Sequence, residues 1–182
     1  MKPGIVILSE LHGHLREKIL EIQRRFDPKL AAGIPPHLTL TGSSGMGPIP
    51  PDTSVDELRA ALEPITREVG PMTLSFLPPM RFMQTNVVVL PLDPNGPIRA
   101  LHERILRSGL RYERPRFTFT PHVTLSFFRT LEPDQVKELL KVRITELFTL
   151  DRISAHRTVN TINTEKVLEL ALTGVDTTRT AR

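Results

Sequence analysis

The chain has 182 residues, a net charge of +4 at neutral pH, 17 prolines, no tryptophan and no cysteine. That length fits one domain, or two small lobes sharing an interface, and suffices to bury a real core. The lack of cysteine excludes a disulfide frame and a thiolate metal site, and agrees with a cytoplasmic home. The apolar run Ile5-Val6-Ile7-Leu8 is too short for a signal-peptide core, and no run approaches the ~20 residues a membrane helix needs. A cytoplasmic monomer without a membrane partner is therefore expected. Its positive charge suits an anionic ligand such as RNA or a nucleotide.

In chain order, residues 4–8 read as a short buried strand. Leu11, Leu15, Ile19, Ile22 and Phe26 then recur at helical spacing. Asp27-Pro28 and Gly33 break that helix before Pro35-Pro36 leads into a strand over 37–42. The segment 42–51 holds too many glycines, serines and prolines for regular structure. Its glycines suit three roles equally: amides offered to phosphate, a lid, or a plain connector. Ser54 and Glu57 have capping-box spacing and open a helix with Val55, Leu58, Leu62, Ile65 and Val69 inward. Pro64 within it predicts a kink or an early end. Strands follow at 72–77 and 86–92, the second apolar enough to be covered on both faces.

The order then repeats. Pro97 begins a helix carrying Ile98, Leu101, Ile105 and Leu110, with Gly109 as its stop. A strand is expected over 117–127, a helix from Pro133, and strands over 146–155 and 166–172. The tail 173–182 is polar and expected to be flexible. Residues 10–92 and 97–172 thus each give helix, strand, helix, strand, strand. The expected fold class is α+β: a single bilobal domain, duplicated about a pseudo-two-fold axis. Two antiparallel sheets with outer helices would surround a central cleft, with the two histidine-bearing strands face to face.

Those repeated strands carry the chemistry. Pro36-His37-Leu38-Thr39-Leu40 returns as Pro121-His122-Val123-Thr124-Leu125. On a strand, residues two apart share a face, about 6.6 Å apart. His37 and Thr39 therefore point one way and Leu38 and Leu40 the other, with the same split in the second copy. A lone strand histidine is usually satisfied by backbone and inert; a matched pair in a repeated order points to catalysis. Two imidazoles across one cleft can split a reaction into two proton transfers, because histidine holds both protonation states near neutrality. Thr39 and Thr124 suit phosphate oxygens as charge builds on them, although threonine is also an ordinary strand residue. Neither a metal nor a cofactor is required.

These paired His-x-Thr-hydrophobic motifs, one in each half, resemble the two-histidine phosphoesterase superfamily, which includes 2′-5′ RNA ligase-like proteins and RNA 2′,3′-cyclic phosphodiesterases. The likeness extends from Ile5 to about Leu172. It implies a bilobal fold, motifs across a cleft, and metal-independent opening of a 2′,3′-cyclic phosphate to a 2′-phosphate, with 2′-5′ ligation as the reverse. It also implies that His37 gives a proton to the leaving oxygen, that His122 activates water, and that Thr39 and Thr124 bind phosphate. The segments after the motifs depart from those members. Thr41-Gly42-Ser43-Ser44-Gly45 replaces an apolar aromatic stretch, and Ser126-Phe127-Phe128 delays Arg129.

Other candidates are weaker. Arg104, Arg107, Arg111, Arg114 and Arg116 run from a helix toward His122, with Tyr112, Phe117 and Phe119 nearby. This reads either as a charged face or as an RNA-backbone surface with base stacking. Ser43, Tyr112, Arg116 and Arg129 are the candidate substrate-binding residues. His12 and His14 have metal-ligand spacing but open a helix without a third ligand, so they read as solvated. His102 and His156 carry no motif and read as structural or exposed. Two rivals remain beside the phosphodiesterase: a non-catalytic RNA-end or nucleotide binder, and a metallohydrolase using His12 and His14.

Overall fold

The computed structural model describes residues 4–42, 44–83, 85–158 and 164–175. In order these form β1 (Ile5–Glu10), α1 (Gly13–Phe26), α2 (Pro28–Ala31), β2 (His37–Thr39), α3 (Val55–Glu68), β3 (Met72–Leu74) and β4 (Met80–Arg81). Then come β5 (Val88–Pro91), α4 (Pro97–Leu106), β6 (His122–Ser126), α5 (Pro133–Leu140), β7 (Phe148–Leu150), β8 (Arg152–Thr158) and β9 (Thr164–Ala171).

The α+β class holds. A seven-stranded sheet runs β4-β5-β6-β2-β1-β8-β9, and β3 and β7 form a second, two-stranded sheet. Among the described residues these strands all pair antiparallel. Six of the seven strands are placed symmetrically about the β2–β6 seam, with β1 and β5 next outward, then β8 and β4; β9 extends the β8 side without a counterpart. The motif strands are therefore neighbours in one sheet, not the facing walls of two. Hydrogen bonding through Leu38 and Val123 joins them directly.

Alternation along each strand sends the apolar side inward. Ile5, Ile7, Leu38, Leu40, Val123 and Leu125 are fully buried in one core with Leu15, Ile19, Leu58, Leu62 and Leu101 from the helices. Each buried Leu or Ile contributes about 1.5–3 kcal/mol of transfer free energy. Gln23, on the buried face of α1, donates from Nε2 to the Thr124 carbonyl at 2.8 Å and so fixes the second motif strand to the helix.

Several boundaries differ from the sequence reading. The capping box at Ser54 and Glu57 is present, but α3 does not end early: it continues past Pro64 to Glu68. One lost amide does not end a helix that buries Leu58, Leu62 and Thr66. Residues 117–121 are not strand, because Pro115 and Pro121 lack amide donors and the stretch between is tied to the 42–50 segment instead. The expected strand over 146–155 is split at Asp151 into β7 and β8, which belong to different sheets. Residues 176–182, most of the expected flexible tail, lie outside the described residues. Among the described residues no helix is long and apolar enough to cross a membrane.

Candidate active site

The Leu38–Val123 pairing sets the geometry. Continued one residue each way, the antiparallel register puts His37 opposite Thr124 and Thr39 opposite His122. All four side chains share the face opposite the buried leucines, and all four are half-buried. They form a square with the two imidazoles on one diagonal and the two hydroxyls on the other. Directly opposed residues have Cβ atoms about 4.5–5.5 Å apart, so one anion can reach all four.

Each imidazole is held in the same way. His37 Nδ1 lies 2.7 Å from the Pro35 carbonyl, and His122 Nδ1 lies 2.6 Å from the Thr120 carbonyl. A carbonyl only accepts, so both Nδ1 atoms carry hydrogen and donate. The second ring nitrogen, Nε2, is then the working atom in both: an acceptor when neutral, a donor when protonated. Burial pushes the pKa of both below the usual histidine value, opposed by these backbone bonds. For His37, the Glu10 carboxylate also raises it, while the charge of His122 lowers it. A charge on His122 thus works against a second proton on His37.

Around this matched centre the flanks differ. On the His37 side, Glu10 of β1 is its direct cross-strand partner. Glu10 Oε1 lies 2.9 Å from Lys166 Nζ and 3.5 Å from His156 Nε2, and Lys166 also reaches Glu169 at 2.8 Å. On the His122 side, its partner on β5 is Pro91, and the Phe82 ring meets the imidazole edge-on at 5.1 Å between centroids. One flank is charged and the other apolar. None of Glu10, Phe82 or His156 was singled out as a site residue by the sequence, since each arrives through long-range pairing.

The other candidates fall into three groups. Ser43 lies outside the described residues. Arg116 and Arg129 are exposed, Arg116 beside the 67% exposed Phe117, and Arg129 just beyond β6. Tyr112 spends its hydroxyl on the Ile105 carbonyl, 2.6 Å away, and on Ser108 Oγ, 3.0 Å away, so its visible work is to close the end of α4. The basic cluster is divided. Arg104 pairs with Glu68 and Arg107 with Glu103, leaving Arg111, Arg114 and Arg116 exposed along the following loop.

Gly42 and residues 44–51 form a docked connector. The amides of Gly42, Gly45 and Gly47 donate to the carbonyls of Met46, Phe117 and Glu113, and Ile49 exchanges both bonds with Ile5. Those amides are therefore spent, and Met46 and Ile49 are buried. His102 is structural: its ring stacks on Phe119 at 3.7 Å and its Nδ1 donates to the Leu40 carbonyl. His12 and His14 are exposed, and among the described residues no group of three His, Cys, Asp or Glu is placed to hold a metal ion.

Residues 11–161 match the model of the 2′-5′ RNA ligase superfamily. The chain belongs to that superfamily. Its relatives include two proteins named "putative phosphoesterase". One, from Bacillus pumilus (strain SAFR-032), is 30% identical over 141 residues, 77% of each chain. The other, from Geobacillus sp. (strain WCH70), is 33% identical over 126 residues, 69% of this chain and 68% of its own. The fold is shared with E. coli LigT complexed with 3′-AMP, at a TM-score of 0.57 and 20% identity, covering 94% of this chain and 99% of that one. A structure from Thermus thermophilus gives a TM-score of 0.64 at 14% identity, covering 95% and 99%. This superfamily member is thus a phosphoesterase by family, with the LigT-like fold.

Proposed function

We propose that this chain is a metal-independent phosphodiesterase that opens a 2′,3′-cyclic phosphate on RNA or a nucleotide, with 2′-5′ ligation when an RNA 5′-hydroxyl takes the place of water as nucleophile. One observation carries the reading: two imidazoles with the same Nδ1 tether, set diagonally among two threonines on one sheet face. Water attacks phosphorus while His122 Nε2 takes its proton. The bond from phosphorus to the 3′ oxygen breaks, and His37 Nε2–H protonates that oxygen, leaving a 2′-phosphate. The Thr39 and Thr124 hydroxyls donate to the non-bridging oxygens as their charge grows. Each proton transfer is worth about 10²–10⁴-fold. The complex of LigT with 3′-AMP supports a nucleotide-sized ligand for a groove of this fold.

The test is turnover of 2′,3′-cyclic nucleotides in EDTA, with the product phosphate located by NMR. His37→Ala and His122→Ala should each lose at least about 10²-fold in kcat. Wild-type turnover retained by either variant would reject the two-histidine mechanism. The rival binder without turnover is favoured by the exposed Arg111, Arg114, Arg116 and Phe117. It predicts RNA binding that weakens steeply with salt and no product on long incubation.

A further inference from the structure

The two motifs are so alike that nothing in either says which imidazole carries the proton. Their neighbours do. We propose that Glu10 is a positioning residue that favours a proton on His37 over one on His122, so that His37 faces the leaving oxygen as acid and His122 is left as base; this rests on the two-histidine reading above.

Glu10 is the direct antiparallel partner of His37, so both side chains project from the same face of adjacent strands. The carboxylate is 17% exposed and is held by Lys166 Nζ at 2.9 Å. From β6, His37 faces His122 and Thr124; from its own leading loop, the Pro35 carbonyl accepts its Nδ1–H. From β8 comes His156, buried, with Ser154 Oγ 3.0 Å from Nε2 and Thr164 Oγ1 3.2 Å from Nδ1. From β9 comes Lys166, which divides its ammonium between Glu10 and Glu169; Arg152 also reaches Glu169, at 3.4 Å.

Burial pushes the His156 pKa down to about 4, so that ring is neutral at working pH and adds no positive charge beside Glu10. The one ammonium at Glu10 is shared with a second carboxylate, and the Glu10 charge is not cancelled. It acts on His37 in the sense that favours imidazolium. Among the described residues no carboxylate stands beside His122: Pro91 opposes it and Phe82 covers its edge. An opposite charge a few ångströms away stabilises the ion, and an apolar wall destabilises it. Burial and the charge of His122 hold the His37 pKa down, and the Glu10 carboxylate, with the Pro35 carbonyl, is what opposes them.

The decisive measurement is an NMR titration of the two imidazoles in wild type, Glu10→Gln and Lys166→Met, together with kcat/KM against pH. Glu10→Gln should lower the His37 midpoint by roughly one pH unit and leave that of His122 in place. The high-pH limb of kcat/KM should move down with it, while the low-pH limb stays. Lys166→Met should raise the His37 midpoint, and Glu10→Asp should fall between wild type and Gln. Equal shifts in both rings, no shift in His37, or movement of the low-pH limb alone would overturn the assignment. If wild type turns over no cyclic nucleotide, the phosphodiesterase reading fails while the titration still decides what Glu10 does to His37.

Discussion

Asp27 gives the sharpest stability test, because a single buried carboxylate holds together the ends of two elements. Its Oδ1 accepts from the Leu30 amide at 3.1 Å, capping α2. Its Oδ2 accepts from the amides of Phe127 and Phe128, both at 2.7 Å, with the Arg129 amide at 3.4 Å. The side chain is fully buried. Hydrogen bonds to a charged group are worth about 1.5–3 kcal/mol each, and a helix cap about 1 kcal/mol. Asp27→Ala removes the acceptor for two short bonds and a cap, and strands their amides away from water. About 4 kcal/mol should be lost, a large share of the ~5–15 kcal/mol a domain usually has. At roughly 2–4 °C per kcal/mol, the Tm should fall by about 8–16 °C. Asp27→Asn keeps the shape but replaces one of the two acceptor oxygens with an NH2 donor; with the remaining oxygen kept on the Phe127 and Phe128 amides, the Leu30 cap is lost and about half as much stability should go. Urea unfolding followed by far-UV circular dichroism gives both numbers. A loss below about 1 kcal/mol for Asp27→Ala would refute this account of the turn after β6.

Two further perturbations test the groove's supports. His156 is neutral in the fold and has its pKa depressed to about 4 by burial, whereas the unfolded chain binds that proton near pH 6.5. Stability is therefore full above about pH 6.5 and lost as pH falls toward 4, by roughly 3 kcal/mol at most. His156→Gln should flatten that limb, read from urea midpoints at pH 7, 5.5 and 4; parallel slopes in the two proteins would contradict it. Gly45 has φ +70°, and a Cβ there would overlap the His102 ring and lie 2.8 Å from Phe119 Cβ. Gly109 has φ +87° with open space around it. Both alanine variants carry the same kind of backbone strain, about 1 kcal/mol, so Gly45→Ala should melt well below Gly109→Ala. Equal melting temperatures would show that the His102–Phe119 stack yields freely.

The sequence made legible whatever depends on short spacing. The helical faces of α1, α3 and α4 follow from their apolar period, the Ser54 cap from its box, and the shared face of His37 and Thr39 from alternation. What stayed hidden depends on which residue lies beside which across the sheet. Glu10 meets His37 only because β1 pairs β2 in one register; a slip of one residue would bring Ser9 there and turn Glu10 to the other face. Phe82 follows β4, a two-residue strand with no pattern to read. Asp27 looked like a helix breaker beside Pro28, and that local role is real. Its second role, holding a turn a hundred residues away, has no local signature.

The same distinction explains how a duplicated motif supports an unequal division of labour. The tether to a carbonyl two residues back is local, so both copies have it and both present Nε2. Neighbouring strands are not local, and here the symmetry of the sheet order breaks in content. β1 brings a carboxylate beside one histidine, where β5 brings proline beside the other. Beyond them, β8 and β9 add His156 and Lys166 on one flank, where the chain after β4 adds Phe82 on the other. An acid and a base need opposite environments, one stabilising a cation and one excluding it. Duplication supplies the matched pair, and the strands outside it supply the difference that a directional proton transfer requires.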